Sequence, residues 1–247
     1  MPKRLDVYLS DNNIVKSRSL AATLIKQGSV EVNGRICSKP SFTVNDDDTV
    51  KIIGELPKYV GRGGLKLEKA LSHYRLHLDG AVCIDIGAST GGFTDCMLKN
   101  GAEKVYSVDV GTDQLDEKLR NDSRVISMEK TDIRNCVGIL PQVDFISIDV
   151  SFISLKLVLP TAFALLKDGG ECVALIKPQF EAGKAHLSKN GIVRDIKIQK
   201  KVCEEIAEFV TTLGFEHGEV IASPIAGGDG NSEYLIFLKR PKAGDRL

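Results

Sequence analysis

The sequence predicts an α/β protein built on a mainly parallel sheet, with a small α+β module ahead of it. Three observations predict this. From about residue 65, strand-length apolar runs alternate with helical periods, the pattern of strands joined by crossover helices. A glycine-rich loop connects the first of these strands to a helix, as in doubly wound sheets. Before residue 54 the apolar periods are shorter and are broken by turn signals of their own.

In the first module, Arg4–Leu5–Asp6 leads into a short amphipathic pattern that ends near Asn12–Asn13. Ser17 reads as the cap of a second helix with Leu20, Leu24 and Ile25 on one face, and Gly28 stops it. Val30, Val32 and Ile36 flank Asn33–Gly34, a strong hairpin-turn signal. A last strand, Thr49 to Ile53, follows the turn-like Asn45–Asp48. Gly54, Pro57, Gly61, Gly63 and Gly64 then punctuate a polar stretch. The expected division is a module over residues 1–57, a linker over 58–64 and a larger domain over 65–247.

Helix, helix, hairpin and strand in this order resemble the S-four domain, an RNA-binding module of a ribosomal protein. Arg4–Leu5–Asp6, Ser17–Arg18, Ile25, Gly28, Val30, Val32–Asn33–Gly34 and Lys39–Pro40 carry the resemblance. It implies that one face of the two helices meets RNA phosphates, with Lys3, Arg4, Lys16, Arg18, Lys26 and Arg35 as the candidate contacts.

The larger domain reads as a helix over Leu65–Tyr74, a strand Ala81–Ile86, a helix Gly92–Lys99 and a strand Lys104–Asp109. A short strand Arg124–Met128 and a strand Val143–Asp149 follow, then a helix Leu155–Leu166 and a strand Glu171–Lys177. The longest helix, Ile196–Leu213, precedes the closing strands Glu216–Ser223 and Tyr234–Lys239.

Composition bounds the function. The 247 residues are 43% hydrophobic and 27% charged, ordinary for a globular protein. Formal net charge is zero, so any RNA contact must come from a local basic face. The six cysteines form no C-x-x-C pair and four sit among apolar neighbours, which reads as reduced buried thiols without a zinc site. Met1 to Asp6 do not form a signal peptide, and no apolar run approaches the roughly 20 residues of a membrane helix. The expectation is a soluble, cytoplasmic protein.

Asp85–Ile86–Gly87–Ala88–Ser89–Thr90–Gly91–Gly92–Phe93–Thr94 follows a buried strand and opens a helix. Ligands bind beyond the carboxyl ends of such strands, and glycine lets backbone approach them closely. The spacing is Asp-x-Gly-x-x-x-Gly-Gly, not the Gly-x-Gly-x-x-Gly of dinucleotide enzymes, and the Lys–Ser/Thr pair of a phosphate-binding loop is absent. Asp109 ends the next strand, where a carboxylate accepts both ribose hydroxyls, and Asp132 follows the third, where an adenine edge falls. Loop, Asp109 and Asp132 together resemble the Rossmann-like class I S-adenosylmethionine methyltransferase fold. That resemblance implies S-adenosylmethionine as cofactor.

Four further residues are chemically unusual for their positions. Asp149 and Lys177 close apolar strands, Lys66 opens the helix after the linker, and Glu233 begins the last strand. A lysine buried there unpaired would cost several kcal/mol, so it calls for a carboxylate neighbour. Lys66, Asp149, Lys177 and Glu233 in this order resemble the ribose 2′-O-methyltransferases of the FtsJ type. With the S-four module the chain is similar to the TlyA family, whose older name is haemolysin. Tyr59–Gly64, Asp149–Leu155, Lys177–Glu181 and Gly230–Tyr234 carry the match.

A ribose 2′-hydroxyl is a weak nucleophile, so attack on a sulfonium methyl needs proton removal or alkoxide stabilisation. A lysine whose pKa is lowered by desolvation and a neighbouring cation serves as a general base. The expected roles are Lys177 as base, Lys66 as the neighbouring cation, Asp149 orienting Lys177, and Glu233 orienting Lys66 or the ribose. No metal is called for, since transfer leaves a neutral thioether.

The resemblance implies cytidine of ribosomal RNA within a ribosomal subunit as substrate. The compact outline reads as the large-subunit-only type. Two rival readings are a membrane-active haemolysin, which needs an exposed amphipathic segment not found here, and a non-catalytic ribosome-binding factor with a methyltransferase fold.

Overall fold

Two short apolar helical periods at the N-terminus fold onto each other and onto a small sheet. The computed structural model describes residues 2–15, 17–26, 28–54, 57–227 and 230–244, and separates into two compact units, residues 1–58 and 59–247. In the first unit, β1 (Lys3–Arg4) leads into α1 (Leu5–Asp11) and α2 (Arg18–Lys26), followed by β2 (Val30–Val32), β3 (Arg35–Ile36), β4 (Thr43–Val44) and β5 (Val50–Ile52). Leu5, Leu9, Leu24 and Ile25 pack with Val30, Val32 and Val44 into its core. The Ser17 hydroxyl accepts from the Leu20 N–H at 3.2 Å, capping α2. Asn33 and Gly34 both take positive φ between β2 and β3, as a two-residue hairpin turn requires. Strands β1 and β4, too short for any alternation to mark them, pair antiparallel.

The second unit contains α3 (Gly63–Tyr74), β6 (Val82–Ile86), α4 (Gly92–Lys99), β7 (Lys104–Val108), α5 (Glu117–Arg120), β8 (Val125–Met128), β9 (Val143–Ile148), α6 (Leu159–Leu165), β10 (Leu166–Ile176), α7 (Pro178–Glu181), α8 (Ile196–Thr212), β11 (Glu216–Ala222) and β12 (Tyr234–Lys239). The described strands form one seven-stranded sheet in the order β8-β7-β6-β9-β10-β12-β11. Strands β6 to β10 run parallel, and β12 is antiparallel to both β10 and β11. The chain winds from β6 outward to β8, then returns to lay β9 and β10 on the other side. The winding reverses between β6 and β9, where such sheets open a ligand crevice at their carboxyl ends.

Both faces of the sheet are covered, which is why its central strands are apolar throughout. Ile84, Ile146, Ala174 and Ile236 face one layer, with α6 and α8. Cys83, Phe145, Val173 and Leu235 face the other, with α3 and α4. Five cysteines are buried and all six are free thiols. No helix among the described residues is long and apolar enough to cross a membrane.

Three elements differ from the sequence expectation. The helix expected over Leu155–Leu166 is a 3₁₀ turn, Leu155–Leu157, followed by α6, whose Pro160 occupies the first turn where its missing N–H costs nothing. The strand expected from Glu171 begins at Leu166 and passes through a register irregularity between Leu166 and Glu171. The glycine-punctuated stretch expected as a linker is packed into the second unit: Tyr59 is 4% exposed, and Gly63 and Gly64 already belong to α3.

The glycines of that stretch are there for close approach. A Cβ on Gly92 would lie 2.9 Å from the Gly64 nitrogen and 3.1 Å from the Gly61 carbonyl oxygen, so α3 and α4 touch through backbone. A Cβ on Gly64 would drive into the Tyr59 ring. Alanine in a helix gains up to about 1 kcal/mol over glycine, but overpacking costs about 1–3 kcal/mol. The clash wins. Gly64→Ala is expected to lower stability by about 1–2 kcal/mol in urea unfolding; a gain in stability would show that Tyr59 moves freely.

Candidate active site

The crevice between β6 and β9 is built from close backbone contact. The Asp149 N–H donates to the Ile86 carbonyl at 2.9 Å, and a Cβ on Gly87 would strike the Asp149 carbonyl oxygen. Gly87, Ser89 and Gly91 all take positive φ, which turns the loop sharply from β6 into α4. Below the loop, Asp85 is 0% exposed; its carboxylate accepts from the Thr94 hydroxyl at 2.7 Å and the Ser147 hydroxyl at 3.0 Å. Burial pushes its carboxyl up to about 7 against the pull of those two donors.

Four strands and helices far apart in the chain deliver Lys66, Asp149, Lys177 and Glu233 to this crevice. Lys66 comes from the first turns of α3, Asp149 and Lys177 follow β9 and β10, and Glu233 precedes β12. Lys66 Nζ lies 2.6 Å from Glu233 Oε2 and 3.8 Å from Asp149 Oδ2. Lys177 Nζ lies 2.7 Å from Asp149 Oδ1. The order Glu233–Lys66–Asp149–Lys177 is thus a continuous chain of alternating charge. Both lysines are 8% exposed and Glu233 is 5% exposed, so the chain is nearly dry and electrically neutral.

Sequence reasoning overlooked several neighbours. Lys177 also donates to the Ser151 hydroxyl at 2.8 Å. Glu181 accepts from the Ser154 hydroxyl at 2.6 Å and the Leu155 N–H at 2.8 Å, pinning the loop after Asp149. Burial raises the Glu181 carboxyl above its ordinary range. Phe152 in that loop is 91% exposed at positive φ, an uncommon state for a bulky residue, and packs on Phe180 at 5.2 Å between centroids. The motif strings contained Ser151, Phe152, Phe180 and Glu181, but their chemistry pointed first to the charged positions.

A cavity of about 240 Å³ joins the four-residue chain to the glycine loop. Lys66 and Asp149 line it with Gly87, Ala88, Ser89, Thr90, Gly92 and Phe93. Arg62, Gly63, Ile225 and Ala226 complete the wall, and periodicity marked none of the last two. Four expected cofactor contacts lie elsewhere. Asp85 is sealed under the loop, with its oxygens spent on Thr94 and Ser147. Gly91 shapes the turn and faces Leu115 and Leu119. Asp109 and Asp132 stand at the ends of the neighbouring strands, outside this cavity. Asp109 accepts from the Ser89 and Gly111 N–H groups, each at 2.7 Å. Asp132 pairs with Arg134 at 2.6 Å, and that guanidinium holds its carboxyl below the ordinary range.

In the first unit, the structure brings together Arg4 and Arg18. Both guanidiniums reach the buried Asp6 carboxylate, at 2.9 and 3.1 Å, and Arg4, with Arg18 behind it, holds that carboxyl at about 2. Lys3 pairs with Asp11 at 2.8 Å. Lys26 ends α2 and Arg35 opens β3, both exposed. Lys16 lies outside the described residues.

The FtsJ-like methyltransferase model matches residues 59–240, and the S4 domain model matches residues 3–50. The chain belongs to the FtsJ-like methyltransferase family. Hemolysin A of Brachyspira hyodysenteriae is 41% identical over 95% of this chain and 99% of its own length. The 16S/23S rRNA (cytidine-2′-O)-methyltransferase TlyA of Mycobacterium tuberculosis is 37% identical over 96% of this chain and 89% of its own. A solved Streptococcus thermophilus chain that carries a hemolysin name is 46% identical, with a TM-score of 0.77 over 97% of this chain and 89% of its own.

The buried Asp85 makes stability depend on pH. Folded, it keeps its proton up to about pH 7, whereas an unfolded aspartate releases it near 4. Between those values the native state holds the extra proton, so this group lowers stability as pH rises from about 4 to about 7. Asp85→Asn is expected to flatten that part of the profile in urea midpoints; a slope equal to wild type would show that Asp85 is charged when folded.

Proposed function

We propose that this protein transfers a methyl group from S-adenosylmethionine to a ribose 2′-hydroxyl of cytidine in ribosomal RNA, the first unit anchoring the RNA. The observation that carries the reading is the neutral chain Glu233–Lys66–Asp149–Lys177 beside a glycine loop at the sheet's switch point. Family membership and the TlyA relative support the reaction class and the substrate.

The residues present fit the cofactor. The cavity is smaller than the roughly 300–1,000 Å³ of most whole-ligand sites. It suits the amino-acid end of the cofactor, over Gly87–Phe93. Asp109, whose carboxylate is held open at a strand end by two backbone donors, would take the ribose hydroxyls, and Asp132 would meet the adenine edge. S-adenosylmethionine supplies an electrophilic sulfonium methyl that leaves behind a neutral thioether.

The chain's own residues then manage one proton and one developing charge. Lys177 removes the 2′-hydroxyl proton as the carbon–oxygen bond forms. Lys66 sits beside the developing alkoxide and stabilises it, an effect that gains strength in a dry site. Asp149 contacts both lysines and sets their spacing, while Glu233 fixes Lys66. Ser151 holds the Lys177 nitrogen from the other side. Large-subunit RNA alone as substrate is the narrower form of the proposal, so the two subunits are assayed separately.

The test is transfer of labelled methyl from S-adenosylmethionine to isolated ribosomal subunits, with the modified nucleotide mapped. Lys177→Ala and Lys66→Ala are each expected to lower turnover by about 10²–10⁴-fold, the range of a lost acid–base group. Cofactor affinity by calorimetry should persist in Lys177→Ala and weaken at least about tenfold in Asp109→Ala, the loss of about 1.4 kcal/mol. Wild-type turnover in Lys177→Ala at saturating RNA would sink the assignment.

A further inference from the structure

Outside the four-residue chain, the cations of the second unit fall into two groups. One group is neutralised: Lys99, Lys118, Arg120, Arg124, Arg134, Lys156, Lys167, Lys201 and Arg240 each have a carboxylate within 4 Å. The other group makes no ion pair among the described residues, and five of its members fall between α7 and the middle of α8. Residues 183–203 contain six lysines and arginines against one acid, Asp195, in a chain whose net charge is zero. Lys184, Lys189, Arg194, Lys197 and Lys200 are exposed and make no ion pair among the described residues.

The fold does not place these charges for its own stability. Helix α8 carries Lys197, Lys200 and Lys201 in its first two turns, has no acid in its first turn, and carries Glu204, Glu205 and Glu208 further on. A helix dipole favours the reverse order. Nor is the segment loosely attached. Gln199 and Asn231, both buried, fasten it: Gln199 Nε2 donates to the Val193 carbonyl at 2.7 Å, and its Oε1 accepts from the Tyr234 hydroxyl at 2.6 Å. Asn231 accepts from the Val193 N–H and donates to the Gly191 carbonyl, each at 3.3 Å. Asn231 and Tyr234 stand on either side of Glu233, and α7 at the other end begins directly after Lys177. Two residues of the reacting chain therefore bracket the basic segment, and buried side chains set its position against them.

We infer that residues 184–201 form a phosphate-binding surface of the methyltransferase unit itself. It takes the RNA backbone flanking the nucleotide that enters the crevice. The inference deepens the reading above, since it needs RNA as partner, but its evidence is the uncompensated charge and the buried fastening. A strand of phosphates is the polyanion that fits a row of unpaired ammonium and guanidinium groups fixed at an active-site margin.

Charge reversal tests it through binding. With Lys197→Glu and Lys200→Glu combined, affinity for the large ribosomal subunit is expected to fall about tenfold or more near 100 mM salt. The slope of log affinity against log salt should become shallower by about 1.5–2, the loss of two phosphate contacts. The double alanine variant should shift both readouts in the same direction, and calorimetry with S-adenosylmethionine reports that the unit is folded. Lys242→Glu, an exposed cation elsewhere on the unit, should match wild type in both. Unchanged affinity and slope in a reversed variant that still binds cofactor overturn the inference. So does loss of binding to anionic phosphatidylserine vesicles with RNA affinity intact, which would assign the surface to lipid headgroups. Weakened RNA binding by the variants, with no methyl transfer by wild type, would uphold this surface and remove the catalytic reading instead.

Discussion

Two lysines stand nearly dry at the carboxyl ends of a parallel sheet, and neither is tolerable there alone. Leaving one such charge without its partner costs on the order of 3–5 kcal/mol, a large share of a domain's net stability of about 5–15 kcal/mol. The pairing with Asp149 and Glu233 therefore constrains the whole unit. Lys66 reaches its partners only if α3 lies against the sheet, and α3 lies there only because Gly61, Gly64 and Gly92 let backbone meet backbone. Glu233 reaches Lys66 only because β12 is inserted beside β10. A single electrostatic requirement thus ties together elements that span residues 59 to 239.

A second buried polar cluster supports the first from beneath. Asp85, Thr94 and Ser147 join β6, α4 and β9 under the glycine loop. Their bonds tie together the two strands whose ends form the crevice, so the loop and Asp149 rest on one support. A carboxyl raised to about 7 is the consequence of burying it with hydroxyl donors and no cation. Catalytic geometry gains from such a support, because misplacement by about 1 Å can cost a hundredfold in rate.

The sequence made the charged part of the site legible because charge at the end of an apolar strand is anomalous. Asp149 and Lys177 stood out for that reason, and the glycine spacing identified the loop beside them. Residues whose contribution depends on three-dimensional closure were not legible. Ile225 and Ala226 reach the cavity from a loop with no motif of its own. Gln199 and Asn231 are ordinary polar residues until burial shows what they hold. Asp85 was read as a ligand contact because it begins the motif, yet a strand buried on both faces turns its side chain inward. The same limit applied to residues 59–64: glycines mark flexibility in a linker and close packing between helices, and composition does not separate the two. Tyr59, an aromatic among them, was the one signal for packing.

Net charge was the weakest guide of all, and the structure explains why. A total of zero sums cations held by acids for structural reasons with cations that nothing holds. In the first unit, Asp6 gathers Arg4 and Arg18 without neutralising both, leaving guanidiniums preorganised at the surface. In the second, nine cations outside the four-residue chain are cancelled in place, and five that make no ion pair among the described residues collect between α7 and the middle of α8. Long-range attraction is screened within about 8 Å at physiological salt, so a polyanion senses these local excesses and not the sum. A neutral protein can therefore bind RNA wherever its acids have been assigned to other work.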